Sequence, residues 1–289
     1  MQVSRRHHYI PQFLIKNFAD EDGLLYLFDK QSGRIAKQRQ SPKAIFFEMD
    51  RNTVLFNGQP KDHLEALYAA LDDKAAADLQ NVLLSRKASP EEVVSIVALA
   101  SSLKWRVPAS DAQFGRLKEE VSLADLQAEI RPIDQTQSVD QNALNQLVAS
   151  NAIKEAKRML LPLLPLFDEA KLADIHASWF IHSHADERFP SIIGDCPLLE
   201  KPNVDYSKLE DFIFPLSSTD TFIYKHGAQK QIKSPLFTIQ KDLATLHYSA
   251  RYVACQSRTH LENTVNMYRV LQAQQQVGQL TKFLFDLIT

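Results

Sequence analysis

The pattern of hydrophobic and polar positions divides the chain into three parts. In residues 1–60, short apolar runs separated by turn residues predict strands and loops, and the runs at 24–29 and 34–38 predict a hairpin. Residues 62–161 repeat apolar positions at spacings of three and four, which indicates amphipathic helices. Residues 171–289 mix short apolar strands with helices, so the pattern changes again after the helical part.

Local signals predict the ends of several elements. Gly33 predicts a hairpin turn with positive φ, and Asn57-Gly58 predicts a tight turn after a strand at 53–56. Ser89 opens the sequence Ser-Pro-Glu-Glu, which predicts a capping box and a helix that ends before Pro108. The other expected elements are helices with apolar positions at 64–83 and at 112–130, 141–161, 239–249 and 259–275, a linker at 132–138, and strands at 179–182, 191–194, 212–216, 221–224 and 251–255.

Strands at both ends and helices between them indicate an α+β fold. An isolated two-stranded hairpin is only marginally stable in water, so the N-terminal hairpin must pack on another part of the chain. We therefore expect this hairpin and the C-terminal strands to share one sheet around the central helical segment. In that arrangement residues 1–289 form a single α+β domain, with a β and loop part at 1–60, a helical segment at 62–161 and a mixed part at 171–289.

Composition excludes several classes of protein. The 289 residues carry 33 Lys and Arg against 35 Asp and Glu, which excludes a globally basic nucleic-acid clamp but leaves room for a local basic patch. Cys196 and Cys255 are the only cysteines and form no C-x-x-C pair, which favours two reduced thiols in a cytoplasmic protein. The apolar runs are too short for a membrane span of about 20 residues, so we expect no membrane partner.

The densest candidate for chemistry is the segment that follows Arg5. His7 and His8 point to opposite sides of an extended chain, so only one of them faces a given pocket. Pro11 restricts the backbone, and Phe13 and neighbouring apolar residues anchor the segment to the core. A histidine held in this way suits acid or base chemistry, although a basic arm followed by a short capped helix explains the same residues structurally.

Residues 7–18 also carry a family resemblance. Their sequence, His-His-Tyr-Ile-Pro-Gln-Phe-Leu-Ile-Lys-Asn-Phe, resembles the opening of the uncharacterised domain-of-unknown-function family 4238. Further similar pieces lie at 105–108, 193–197 and 214–217, so the resemblance extends over about residues 5 to 255. The chain departs from the family pattern at Val107, Gly194 and Cys196, and the family brings no settled activity with it.

The resemblance selects polar residues at positions where the family also tends to have such groups. These are His8, Tyr9, Gln12, Arg106, Asp195 and Ser217. Histidine, aspartate and arginine together suit a phosphate-bearing substrate, because guanidinium binds phosphate in a bidentate manner and histidine transfers protons. We therefore expect a hydrolase that acts on a phosphate-bearing substrate. A nuclease-like enzyme is the first expectation, with a nucleic acid or nucleotide as its partner.

Roles follow for each residue of this hypothesis. His8, Asp195 and Gln12 are the catalytic candidates, and the substrate-binding candidates are Arg106 as phosphate clamp, Tyr9, Ser217 and Arg5. Glu48 and Glu65 are candidate ligands for Mg²⁺ or Mn²⁺.

The alternative is a non-catalytic binding or regulatory module in which the segment is a structural lock. In that case Arg106 is a buried partner of Asp195 or Glu65, and Asp195 caps a turn before Pro197.

Other motifs give weaker indications of function. His182-Ser183-His184-Ala185-Asp186 has the spacing of a metal-binding H-x-H-x-D motif and resembles the signature of metallo-β-lactamase-like hydrolases. That signature continues with a further histidine and glycines, where this chain has Glu187 and Arg188-Phe189, so we expect a polar hairpin turn without a metal. The chain contains no P-loop, dinucleotide-binding or nucleophile-elbow motif.

Overall fold

The computed structural model describes residues 5–56, 59–126, 128–130, 140–184, 188–201 and 208–289. Its strands are β1 (Arg6–His8), β2 (Tyr26–Asp29), β3 (Arg34–Ile35), β4 (Phe47–Met49), β5 (Val54–Phe56), β6 (Gln59–Lys61), β7 (Trp179–Ser183), β8 (Ile193–Gly194), β9 (Leu199–Glu200), β10 (Phe212–Pro215), β11 (Asp220–Tyr224) and β12 (Tyr252–Cys255). Its α-helices are α1 (Gln12–Lys16), α2 (His63–Ser85), α3 (Pro90–Arg106), α4 (Asp111–Glu120), α5 (Gln141–Ala149), α6 (Asn151–Leu160), α7 (Leu164–Phe167), α8 (Glu169–Ser178), α9 (Phe237–Tyr248), α10 (Arg258–Ala273) and α11 (Leu280–Asp286). The fold class is α+β, as expected.

The first antiparallel sheet joins the two ends of the chain in the order β3-β2-β12-β8. The hairpin of β2 and β3 pairs with the C-terminal strand β12, with Tyr26 opposite Cys255 and Asp29 opposite Tyr252. Gly33 has φ of +67° at the hairpin turn, a conformation that side chains with a Cβ rarely adopt. The hairpin and the C-terminal strand β12 share this sheet, as expected, but the expectation that the C-terminal strands all join it is wrong, because β7, β9, β10 and β11 lie in a second sheet.

The other C-terminal strands form a second antiparallel sheet, in the order β7-β11-β10-β9. Residues of β10 and β11 are buried on both faces of this sheet. Phe212 and Phe222 face a cluster that includes α3, whereas Ile213 and Ile223 face a cluster that includes α9 and α11. Short strands that are apolar on both faces show no alternation of polar and apolar residues that would mark their buried face. The sequence therefore did not indicate that the C-terminal strands form two separate sheets.

The helix predictions hold where local bonds specify the ends. In α3 the Ser89 hydroxyl accepts from the Glu92 amide and the Glu92 carboxylate accepts from the Ser89 amide, which confirms the capping box. The helix expected at 112–130 instead ends at Glu120, because the Asp125 carboxylate accepts from the Ser122 amide and hydroxyl and closes a turn. The Asn57-Gly58 turn and the linker at 132–138 lie outside the described residues.

The helix expected at 141–161 is also divided. Ser150 has an extended backbone with ψ of 150°, and its hydroxyl caps α6 by accepting from the Ile153 amide. Serine at a helix N-cap competes with helix continuation, since its side chain satisfies an amide that would otherwise need a carbonyl. Two helices meet at this residue in place of one.

The N-terminal segment packs into the largest apolar cluster. Tyr9, Ile10, Leu14 and Phe18 are at most 4% exposed and lie in the cluster that contains the buried face of α3. The segment is therefore part of the core. None of the described helices combines the length and the apolar character that a membrane crossing requires.

A fragment of residues 1–60 should not fold by itself. Its hairpin loses the partner strand β12, and the apolar side chains of α1 lose the cluster that buries them. We expect the fragment to give a random-coil circular dichroism spectrum and rapid proteolysis, whereas the full chain melts cooperatively. A cooperative melting transition of the fragment would contradict this.

Candidate functional site

His7 and His8 face opposite sides of β1, as the alternation predicted. His7 is fully buried, and its Nδ1 accepts a hydrogen bond from the Asn52 backbone amide at 2.9 Å. The Asn52 side chain in turn donates to Glu65 Oε2 at 2.6 Å. His7 therefore joins β1 to the start of α2 through a buried polar chain and has a structural role.

His8 is only partly buried and pairs with Phe47 across β1 and β4. The two ring centroids are 5.7 Å apart, and the Gln12 side-chain nitrogen lies 3.4 Å from His8 Nδ1. Burial lowers the pKa of His8, and the nearby Lys43 carbonyl offsets only part of this decrease. Nε2 is buried and forms no hydrogen bond of normal geometry, although the Lys43 carbonyl lies near the ring.

Arg106 is buried and bound to the protein itself. Its guanidinium forms a bidentate pair with Asp72 at 2.8 and 2.9 Å and donates to the His8 carbonyl at 2.9 Å. The guanidinium carbon also lies 4.5 Å from the centre of the Tyr68 ring. This corrects the sequence expectation: the partner is Asp72, and the guanidinium is not open to a substrate phosphate.

Asp195 is 3% exposed and stabilises a backbone turn. Its carboxylate accepts from the amides of Ala250, Arg251 and Tyr252, each at 2.7 Å. Burial raises the pKa of Asp195, and the three amides oppose that increase. The carboxylate fixes the start of β12 and bonds neither Arg106 nor His8, so the expected His-Asp-Arg constellation does not assemble.

The remaining substrate-binding candidates are also used within the fold. Tyr9 is 4% exposed and packs on Phe46, with ring centroids 6.2 Å apart. The Ser217 hydroxyl donates to Asp220 at 2.9 Å in the turn between β10 and β11. Arg5 is exposed and pairs with Asp50 at 2.9 Å. These three residues are not brought together.

The structure does not pair the candidate metal ligands. Glu48 accepts from Arg51 at 2.6 Å, whereas Glu65 is held by Asn52. Across the described residues, no group of three or more His, Cys, Asp or Glu is placed to hold a metal ion. In the H-x-H-x-D motif, His184 Nε2 lies 3.0 Å from the Phe189 carbonyl oxygen, and Asp186 falls outside the described residues.

A cavity of about 300 Å³ lies where two segments of the family resemblance meet. Val107 comes from the segment at 105–108, and Cys196 and Pro197 come from the segment at 193–197. Additional apolar side chains complete its walls: Leu103, Ala109 and Leu198. Because the cavity is concave and mostly apolar, it has the form of a small-molecule site.

Charged groups line one part of this cavity. The buried Lys104 ammonium bonds Glu200 at 2.9 Å and the Lys208 carbonyl at 2.6 Å. Burial raises the pKa of Glu200, and Lys104 partly offsets the increase. The Lys201 side chain is 58% exposed and lies 3.6 Å from Asp211. With Lys104, Glu200 and Lys201 ionised, the lining residues carry a net charge of +1, and Asp211, which is not in the lining, partly balances the charge of Lys201.

Cys196 lines the same cavity and is partly exposed. Burial raises the pKa of its thiol to about 12, so the thiol is protonated at neutral pH and is not an activated nucleophile. Sequence reasoning missed Lys104 and Glu200 in this cavity. The available signal was a lysine within the otherwise apolar run of α3, where a buried cation requires a partner.

The family resemblance of the opening segment is confirmed over most of the chain. The chain belongs to the family described as "Protein of unknown function (DUF4238)", whose profile matches residues 6–277. Comparison with curated proteins finds no match, and comparison with solved structures finds none either. Family membership therefore supports the assignment of the motif segments and brings no activity.

Asp195→Asn should destabilise the protein if the carboxylate is structural. The amide side chain keeps one acceptor oxygen, so at least one of the three backbone amides loses its partner, and we expect a loss of about 1–3 kcal/mol in the free energy of unfolding. Chemical denaturation measures this, with Asp73→Asn at an exposed position as the control. Unchanged stability would show that the three amide contacts contribute little and would return Asp195 to the catalytic candidates.

Proposed function

We propose that this chain is a non-catalytic binding module whose N-terminal His-His-Tyr-Ile-Pro-Gln segment is a structural lock. The observation that carries the proposal is the cavity at Val107 and Cys196, which two motif segments build together. A small-molecule binding site needs a formed, mostly apolar cavity with a few polar groups, which this one has. The protonated Cys196 thiol and the paired Lys104 offer no activated nucleophile there, which favours binding over catalysis.

The structural-lock role rests on how the polar groups of the segment are used. His7 accepts from Asn52, Tyr9 is buried against Phe46, and the His8 carbonyl accepts from Arg106. Such buried polar bonds stabilise one arrangement of the chain, because breaking any of them leaves a buried group unpaired. The segment fixes the end of α3, and the end of α3 forms one wall of the cavity.

The ligand class follows from the lining. The apolar walls favour a hydrophobic body, and the excess positive charge of Lys104 and Lys201 over Glu200 favours an anionic group. Tyr248 is 40% exposed at the same cavity and offers an aromatic surface for a ring. We therefore propose a small aromatic carboxylate or phosphate monoester as ligand, in a protein of the reducing cytoplasm that keeps both thiols free.

Alkylation of Cys196 by iodoacetamide tests this proposal, because Cys255 is fully buried. With 1-naphthyl phosphate at about ten times its dissociation constant, we expect alkylation to slow about tenfold, since bound ligand covers the thiol. The uncharged 1-naphthol should protect much less. Mass spectrometry at pH 8.5 measures the rates.

Matched variants complete this experiment. Leu198→Trp fills the cavity and should abolish protection, and Lys201→Gln should weaken it, whereas Lys282→Gln at an exposed position should have no effect. Equal protection by the phosphate and the alcohol would refute the anionic ligand class. No protection by either compound would refute binding at this cavity.

A second candidate function is hydrolysis of a phosphate-bearing substrate, nuclease-like, with His8 as the acid or base. The supporting observation is Nε2 of His8, which is buried without a hydrogen bond of normal geometry, an uncommon situation for a buried polar atom. Arg6 is exposed, lies 3.7 Å from the centre of the Phe47 ring and forms no ion pair with another described residue. Arg6 then replaces Arg106 as phosphate clamp, and His8 must turn its ring toward the substrate.

Incubation with single- and double-stranded DNA and RNA, with and without Mg²⁺ or Mn²⁺, tests this second candidate. If cleavage occurs, His8→Ala should abolish it while the melting temperature stays within a few degrees. His7→Ala should keep most activity per folded molecule but lower stability by about 1–3 kcal/mol, because the Asn52 amide loses its acceptor. If His8→Ala unfolds the protein, the lock role is favoured instead.

The pH profile is a further measurement for the same candidate. Burial lowers the pKa of His8 below the usual 6.5, so the imidazole stays neutral to lower pH than an exposed histidine. Activity that needs the neutral base should therefore be half-maximal at a pH below 6.5. A fall that begins well above pH 6.5 would exclude His8 as the base.

A further inference from the structure

Four polar side chains lie together between α9 and α10, outside the cavity at Cys196. Ser191, Lys241 and Asp242 are fully buried, and His260 is 5% exposed. Lysine and aspartate are almost never fully buried unless they are paired, so this cluster must satisfy its own charges. The bonds within it determine which groups remain for a ligand.

The cluster is a chain of short contacts. The Lys241 ammonium donates to the Ser191 hydroxyl at 2.5 Å and lies 3.2 Å from Asp242 Oδ1. The other carboxylate oxygen, Asp242 Oδ2, lies 2.8 Å from His260 Nε2. The contact between His260 Nε2 and Asp242 Oδ2 favours the tautomer in which Nε2 carries the proton and donates it to the carboxylate, which leaves the Nδ1 lone pair as an acceptor.

His260 lines a cavity of about 490 Å³ on the surface of α10. The apolar part of the lining comes from Phe189, Ile239, Met267 and Val270, and no Lys, Arg, Asp or Glu lines it among the described residues. The Phe189 ring meets the imidazole edge to face, with centroids 5.9 Å apart. Phe189, Met267 and Val270 are 42%, 44% and 56% exposed, so the cavity is open to a ligand from outside.

We propose that this cavity binds an uncharged aromatic alcohol, whose hydroxyl donates a hydrogen bond to Nδ1 of His260. The ring of the ligand packs on Phe189 and Met267, since a thioether makes favourable contacts with aromatic rings. A charged ligand is disfavoured because the lining offers no opposite charge. Asp242 and Lys241 are positioning residues, because they fix the tautomer and orientation of His260 without touching the ligand.

Two compounds that differ only in the hydroxyl proton test the proposal. 4-Methylphenol can donate to Nδ1, whereas 4-methylanisole carries a methyl group in place of that proton. We expect calorimetric titration of the full chain to give about tenfold tighter binding of 4-methylphenol, the size of one hydrogen bond of about 1.4 kcal/mol. In nitrogen-detected NMR, the Nδ1 resonance of His260 should move with 4-methylphenol and stay in place with 4-methylanisole.

Variants of residues that line the cavity test whether the ligand binds there. His260→Phe keeps an apolar ring but removes the acceptor, so the preference for 4-methylphenol should fall to about twofold or less. Met267→Glu places a charge at an exposed position of the cavity and should abolish binding, and His63→Phe at an exposed site is the control. If His260→Phe does not fold, the Met267→Glu result and the wild-type NMR shift still test the proposal. Equal affinity for both compounds, no binding of 4-methylphenol, or unchanged binding by Met267→Glu would overturn the proposal.

Discussion

The guanidinium of Arg106 connects three parts of the chain that are distant in sequence. It stands at the last residue of α3, binds the Asp72 carboxylate of α2 in a bidentate pair and donates to the His8 carbonyl of β1. A buried cation without these acceptors would cost several kcal/mol, so the three elements must stay together for the charge to be tolerated. The position of the N-terminal segment, the end of α3 and the wall of the neighbouring cavity all depend on this contact.

The same constraint explains why polar residues that are typical of catalysis are bonded within the fold here. Charged and hydrogen-bonding groups in a core need partners, and in this protein those partners are backbone groups and oppositely charged side chains. Asp195 is the clearest example, since its carboxylate accepts hydrogen bonds from three consecutive amides at the start of β12. Gly194 beside it is required sterically, because a Cβ there would collide with the Ser249 hydroxyl. The departure from the family pattern at this glycine is thus matched by a neighbouring side chain.

Sequence reasoning succeeded where the signal was local or where one physical requirement left few choices. The capping box of α3 needs only four residues, and the hairpin around Gly33 needed a partner strand, which β12 supplies. The split between the two sheets depends on which helices cover each face of β10 and β11, and that is a long-range property. For the candidate site, the family resemblance selected His8 and Arg106, and the structure joins the Arg106 guanidinium to the His8 carbonyl, but nothing local in the sequence marks Asp72 as the partner of Arg106.

The two cavities differ in charge, and this difference decides what each can recognise. At Cys196 the lining includes two lysines and one glutamate, and at His260 the only ionisable side chain of the described lining is the imidazole itself. A charged ligand gains opposite charge in the first and loses its hydration without compensation in the second. An uncharged ligand gains little in the first from groups that are already paired, whereas the second offers it a fixed acceptor. Under the two proposals, one compound does not satisfy both cavities equally, because the first favours an anionic aromatic molecule and the second a neutral one.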